Sequence, residues 1–471
     1  MATYARSDAA IPGAQSWPDV SQWSLSDITG LPTQIVLIYT DGTFGELNGT
    51  GIVLNGFGEP VAGTITSMRR LSTDGSTVLE VITDIDLSLV TLFNAPNASA
   101  LFNLVFSGND TLTGGALGDL IAGGDGDDTI SGNAGDDVIF GDEGDDTING
   151  GAGSDEINGG SGNDIIQGGG GIIDILNGGD GAFDMLNYGS SNAGVTVNLS
   201  DNTASGGHAS GDSIVNFEGV YGSNHADTLT GGVADERFRG RDGIDQINGG
   251  GGFDEIDFYL APASVNMTFT GAGNVAVAND GYGNVENHTN IEAVRGSLND
   301  DTLTGSGDDE RFRGLGGIDT MDAGGGTDLL DYGVDENLGG TQGVIVDLAN
   351  NTAIDGFGFQ DNVSNFENVR GTSFDDDITG NTVANAIDTL AGNDVIHASA
   401  GFDAIDGGAD IDTFDLSTST GVVNWVNLDA AGSQFRVDSG AGFVGRATLA
   451  NIENVSDSSG NDRFFGNASD N

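Results

Sequence analysis

The chain has no cysteine and no lysine. Without cysteine there is no disulfide framework and no thiolate metal site. Without lysine there is no phosphate loop ending in Gly-Lys, and all 13 basic residues are arginines. Against them stand 72 acidic residues, a formal net charge of −59. So acidic a surface repels nucleic acid and anionic membrane and attracts cations. No run of 18 apolar residues occurs, so no transmembrane helix is expected. Met1 to Val20 lacks the apolar segment of a cleaved secretory signal, so export is expected to use another route. Proline is scarce, and Pro12, Pro18, Pro32, Pro60 and Pro96 all fall before residue 107. The four histidines (His208, His225, His288, His397) are dispersed and read as surface or strand residues, which sets zinc aside.

What the chain has is glycine and aspartate in register. From Gly108 to Gln167 an aspartate recurs every nine residues: Asp110, Asp119, Asp128, Asp137, Asp146, Asp155 and Asp164. Two places after each sits an aliphatic residue (Leu112, Ile121, Ile130, Ile139, Ile148, Ile157, Ile166), and two places before each, except at Leu117, is glycine. Asp174 and Asp184 extend the series at spacings of ten. The register then restarts after strand-like stretches. It returns at Asp227, Glu236, Asp245 and Asp254, at Asp301, Glu310, Asp319 and Asp328, at Asp376, Asn385, Asp394, Asp403 and Asp412, and finally at Asp462 and Asn471. Val215-Asn216-Phe217-Glu218, Thr289-Asn290-Ile291-Glu292, Ser364-Asn365-Phe366-Glu367 and Ala450-Asn451-Ile452-Glu453 mark a longer repeat. The chain stops inside a repeat, as a fragment or a chain ending on an irregular cap would.

Residues 1–106 read as a small, mostly β module that caps the repeats, with strand candidates at Gln34–Thr40, Gly51–Leu54, Ala62–Met68 and Thr77–Ile85 and room for a short helix between Leu87 and Phe106. The remaining segments are 107–188, the first repeat block, and 189–258, 259–332, 333–416 and 417–471, each a strand insert followed by a repeat block. The six glycine-rich residues of one unit suit a tight turn, and its β-branched last third suits a short strand with one inward side chain. Two units make one coil with a thin aliphatic core, and stacked coils give parallel sheets. The expected fold is all-β, a right-handed parallel β-roll or β-helix solenoid.

Stacked turns bring aspartates together, and a hard divalent cation relieves their repulsion. Ca2+, which takes six to eight oxygen ligands from carboxylates and carbonyls, fits such turns better than Mg2+. Glu236 and Glu310, each followed by Arg-Phe-Arg, and the neutral Asn385 and Asn471 are expected to be weak sites. The acidic residues just before the slot, such as Asp127, Asp136 and Asp145, read as outward solvated charges. The first block, with seven aspartates unbroken, is expected to bind most ions and to nucleate the roll.

This pattern resembles the RTX, or haemolysin-type, calcium-binding repeats, whose mark is Gly-Gly-x-Gly-x-Asp; Gly123-Gly124-Asp125-Gly126-Asp127-Asp128 is its clearest copy. The resemblance covers most of residues 108–471. It implies a β-roll with Ca2+ between successive turns, and a bacterial protein leaving the cell unfolded by type I secretion. No His-Glu-x-x-His and no Gly-x-Ser-x-Gly occurs, so no enzyme is expected. The leading expectation is an extracellular calcium-binding structural or matrix protein, disordered without the cation. The alternatives are an adhesin holding cell-surface polysaccharide and the folding tail of a longer secreted enzyme.

Overall fold

A computed structural model describes residues 108–417, except 117, 172, 398 and the side chain of residue 120, together with 447–456; elsewhere it gives strand backbone only. The expected helix between Leu87 and Phe106 and the site residue Asp462 lie outside the described residues. The chain divides into two compact units, Met1–Gly232 and Val233–Asn471. That division falls inside segment 189–258.

In the first unit the nine-residue period becomes two parallel ladders. One runs through Thr111–Thr113, Thr129–Ser131, Thr147–Gly151, Ile165–Gly169, Met185–Asn187 and Gly219–Tyr221. The other runs through Leu120–Asp125, Val138–Glu143, Glu156–Ser161, Ile175–Asp180 and Ser213–Val215. Partners within a ladder are two units apart, as in Ile130 opposite Ile148 and Ile139 opposite Ile157. Alternation along each strand turns one aliphatic side chain inward. Leu112, Ile130, Ile148 and Ile166 from one ladder and Ile121, Ile139, Ile157 and Leu176 from the other are at most 2% exposed. The protein is an all-β parallel β-roll.

Upstream, strands Val20–Ser24, Gln34–Tyr39, Phe44–Leu54, Pro60–Leu71 and Val78–Ser88 pair antiparallel in chain order. Thr3–Arg6 pairs antiparallel with Val78–Ser88 and in parallel with Thr111–Thr113, the first strand of the roll.

Each insert is a reversed three-strand meander. In the first unit Ser213–Val215, the last insert strand, continues the ladder from Ile175–Asp180. Thr203–Ser205 and then Thr196–Asn198 follow antiparallel, and Thr196–Asn198 pairs in parallel with Thr228–Thr230 of the next coil. The second unit repeats this with Thr320–Asp322, Gln360–Ser364, Thr352–Ile354, Ile345–Asp347 and Asp377–Thr379 in spatial order. In the first and third inserts the sheet therefore runs through without an edge; at the second, Glu286–His288 meets the coil strand Gln246–Asn248 only through the parallel bridge of Asn248 with Thr289.

The Asn-x-Glu markers are the return corners of these inserts. Asn216, Asn290, Asn365 and Asn451 all adopt left-handed backbone, φ 49 to 62°, which asparagine tolerates better than most residues. Their amides donate to Asn177, Asn248, Asp322 and Asp406 on the preceding coil at 2.6–2.9 Å.

In the second unit Arg237, Arg239, Arg295, Arg311 and Arg313 gather on the outward side of one sheet. Arg239, Asp257, Arg295, Arg313 and Asp331 follow one another in register and are 1–7% exposed. Burial pushes the Glu255 carboxyl up, but Arg313, Arg295, Arg237 and Arg311 together hold it at about 2. Arg237 and Arg311 thus serve Glu255 and not the slots of Glu236 and Glu310 beside them in sequence.

Candidate metal centre

Each slot aspartate stands at the turn between two strands, and its carboxylate faces the coil before it. Within a tract one oxygen accepts the backbone N–H of the slot residue two units upstream; at Asp227, Asp301 and Asp376, the first slots after an insert, the donor is Val195, Val265 or Val344 of that insert. Asp110 donates to Asp128, Asp119 to Asp137, Asp128 to Asp146, Asp137 to Asp155 and Asp146 to Asp164, all at 2.7–2.9 Å. Asp155 and Asp164 donate to Asp174 and Asp184, so the stretched spacings stay in the ladder. Asp127, Asp136 and Asp145, the exposed acids before the slot, form an outer ladder that accepts the N–H of Asp145, Ser154 and Asn163.

The second oxygen divides the slots into two classes. The Oδ2 atoms of Asp128, Asp137, Asp146, Asp155, Asp164 and Asp174 are buried and have no hydrogen-bond partner, as are those of Asp254, Asp319, Asp328, Asp394 and Asp412. Leaving so many buried charged oxygens unpartnered is costly unless something neutralises them. In the other class the oxygen is taken. Ser223 donates its backbone N–H and hydroxyl to Asp227, Ser297 to Asp301, and Thr372 to Asp376. Gly115 donates its N–H to Asp119, and Ser399 its hydroxyl to Asp403.

Backbone conformation before the slot separates the classes, four residues upstream at every open slot but Asp174, where the stretched unit puts the positive φ at Gly169, five residues upstream. Gly124, Asn133, Asp142, Gly151, Gly160, Gly250, Leu315, Gly324, Leu390 and Gly408 all have positive φ, and each precedes an aspartate with an unpartnered Oδ2. There the left-handed turn directs the amide away from the carboxylate. None of Gly115, Ser223, Ser297, Thr372 and Ser399 has positive φ.

Glu310 belongs to the closed class, since the Ser306 hydroxyl and N–H both donate to it. Ser306 thus occupies both carboxylate oxygens of Glu310. Asn385 is closed too, accepting from the Asn381 N–H and donating to the Glu367 carbonyl. Of the histidines, His288 is buried with its Nε2 3.2 Å from Glu286, and His397 lies 2.8 Å from both Asp377 and Asp415.

The open slots have oxygen donors of two kinds side by side. A Cβ added at Gly123, Gly132, Gly141, Gly150 or Gly159 would collide with the Oδ2 of the aspartate five residues on. It would also collide with the carbonyl oxygen of Gly141, Gly150, Gly159, Gly168 or Gly178, respectively, on the adjacent coil. Only glycine leaves that cradle open. Among the described residues no three acidic or histidine side chains converge on one point. A cation held here therefore draws on backbone carbonyls as well as carboxylates, the mixed oxygen shell that suits Ca2+. Burial, offset in part by the backbone N–H and reinforced by neighbouring aspartates, raises Asp128 and Asp137 to about 7 and Asp146 to about 8.

A family model described as the RTX calcium-binding nonapeptide repeat (4 copies) matches residues 106–139, 113–148, 140–172, 221–256, 293–320, 304–338, 370–405 and 379–414. The chain is an RTX-type calcium-binding repeat protein. The comparison with curated proteins gives no match. The RTX matches span the slots of both classes, so the nonapeptide pattern alone does not separate open turns from closed ones.

Sequence reasoning missed the acids that the inserts lend to this ladder. Glu218, Glu292, Glu367 and Glu453, the last residues of the Asn-x-Glu markers, accept the N–H of Asp184, Asp254, Asp328 and Asp412. Asp212, Glu286 and Asp361 do the same for Asp174, Asp245 and Asp319. Recurrence of the marker was the available signal.

The closed class makes a direct prediction. Ser297→Gly removes the hydroxyl from Asp301 and permits the left-handed turn. We expect this variant to gain about one calcium ion per chain by equilibrium dialysis. An unchanged count would show that the Ser297 N–H on Oδ2 and hydroxyl on Oδ1 do not decide occupancy.

Proposed function

We propose that this RTX protein is a secreted, extracellular calcium-binding protein whose roll folds as Ca2+ fills the open turns, and that its role is structural or matrix-forming, without catalysis. The observation that carries the reading is the row of buried, unpartnered Oδ2 atoms beside glycine carbonyls. Calcium supplies the positive charge that lets these carboxylates be buried ionised. Asp128 to Asp174 orient one oxygen through the amide ladder and present the other to the ion. Because a preformed site is absent from the unfolded chain, binding free energy becomes folding free energy. Extracellular modules bind at about 10⁻⁴ to 10⁻³ M, so the turns stay empty in a cytosol and fill outside the cell.

Far-UV circular dichroism of the full chain during calcium titration and subsequent chelation tests this. We expect a disordered spectrum without calcium, a β spectrum with it, and no substitution by magnesium. A folded calcium-free protein would sink the coupled-folding reading. Retention on immobilised polysaccharide only when calcium is present would favour the adhesin alternative.

A further inference from the structure

The insert of the third repeat round holds a second group of buried oxygens, outside every nonapeptide turn. Tyr332 Oη, Asp335 Oδ1, Asp355 Oδ2 and Asp361 Oδ2 are buried without a hydrogen-bond partner, and all four residues are at most 1% exposed. The fold draws them together. The short helix Asp335–Leu338 starts three residues after Tyr332. Asp335 Oδ2 accepts the Gly356 N–H at 3.1 Å, and a Cβ at Gly356 would lie 2.8 Å from that of Asp335. Asp355, the next residue back along the chain, fixes its Oδ1 with the N–H groups of Phe357 and Phe359. Asp361 lies in the return strand Gln360–Ser364 and fixes its Oδ1 on the Asp319 N–H. In each carboxylate one oxygen is tied to backbone and the other is left over, as in the open turns.

The sibling inserts show what such atoms do when nothing else is required of them. In the first insert, Tyr188 stands where Tyr332 does and Asp212 where Asp361 does; there the tyrosine hydroxyl donates to Asp212 Oδ2 at 2.9 Å. In the second, Phe258 replaces the tyrosine, and Glu286 Oε2 lies 3.2 Å from His288. Asp280 of that insert takes the turn position of Asp355, and its Oδ2 receives the Asn284 side-chain amide. The residue equivalent to Asn284 is Phe359, whose side chain has no donor to offer. The third insert thus loses both internal pairings and adds Asp335. Three buried carboxylates repel one another here, and among the described residues none of them has an ion pair.

We propose that Tyr332, Asp335, Asp355 and Asp361 form a divalent-cation site separate from the nonapeptide turns. An all-oxygen donor set without sulfur or imidazole selects a hard ion of the calcium class. The side chains are not drawn onto one point, so the ion completes its shell with carbonyls or water and pulls the free oxygens inward. Its place at the root of an insert makes it a clamp between the helix, the turn and the return strand.

The full-length double variant Asp335→Asn/Asp355→Asn tests the site, with calcium counted by equilibrium dialysis and β content followed in parallel. We expect one ion fewer per chain, with the remaining ions and the β spectrum retained. A count equal to the parent protein overturns the proposal. Phe359→Asn gives an independent check that does not remove a charge, because it restores the amide that occupies the equivalent carboxylate oxygen in the second insert. It should weaken one class of calcium site about tenfold or more. Unaltered binding in that variant also overturns the proposal, even where the double variant does not fold. If the parent chain binds no calcium in its nonapeptide turns, the Asp137→Ala variant matches the parent, whereas the insert variants still differ from it.

Discussion

Calcium-depleted protein should gain β-structure as the pH is lowered from about 8 to about 5. The slot carboxyls are raised in the fold: Asp155, Asp164 and Asp174 to about 6, Asp128 and Asp137 to about 7, Asp146 to about 8, and Asp319 to about 9. In the unfolded chain an aspartate titrates near about 3.9. Between those values the folded state binds more protons than the unfolded state, so stability falls as pH rises. The contribution is fully present below about pH 4 and is lost as pH climbs through 6 to 9. Protons therefore do in part what calcium does, by removing the buried negative charge. The isoelectric point near 4.1 sets the lower limit of a clean experiment, since net charge vanishes there. Circular dichroism against pH on calcium-free protein checks the expectation. A β signal that is flat or declines on acidification would refute it. The same linkage requires calcium affinity to weaken as pH falls from 8 to 5, because protons and cations compete for the same oxygens.

Phe312→Ala should be the most damaging single core substitution in the second unit. Phe312 is fully buried and holds the inward position of its strand, in register with Val294 and Leu330. Its ring meets Phe269 edge-on at 5.6 Å and Phe366 edge-on at 5.4 Å. Phe269 belongs to the second insert and Phe366 to the Asn-x-Glu corner of the third. One ring thus ties a coil to two inserts, and truncating it should cost about 3–5 kcal/mol. In a stacked array each coil answers mainly to its neighbours, so the loss should be local. Hydrogen exchange of the calcium-loaded protein should show deprotection across residues 293–370, with the Asp137–Asp164 coils unchanged. Uniform deprotection of the chain would contradict the nearest-neighbour account.

Much of this was legible in the sequence because a period of nine has only one physical use here. It sets the aliphatic residue inward in the short strands of the roll, so the inward places of Ile130, Ile139 and Ile148 follow from the spacing alone. The slot aspartates were legible for the same reason. What the period could not convey was the state of the second oxygen. Asp301 and Asp319 occupy the same register, yet Ser297 closes one and the left-handed Leu315 leaves the other open. That difference lies four residues upstream, in a backbone angle. Nor could periodicity reveal Glu218 or Asp361, which reach the ladder from inserts of unequal length. The arginines of Arg-Phe-Arg are neighbours of Glu236 and Glu310 in sequence, but strand alternation sends them onto Glu255, Asp257 and Asp331.

The reversed order of the insert strands bears on how the roll can assemble. A stack of identical coils could close like a zipper, each coil needing only the one before it. At the first insert that rule breaks. Strand Thr196–Asn198 has no ladder partner upstream; its partners are Thr203–Ser205 and Thr228–Thr230, both later in the chain. The strand that docks on the finished coil is Ser213–Val215, the last of the three. A front advancing from residue 108 must therefore halt near residue 189 until some forty further residues have been supplied. It then folds them backwards before it moves on. Every insert acts as such a gate, so the roll grows in instalments, each completed only when the next block has arrived.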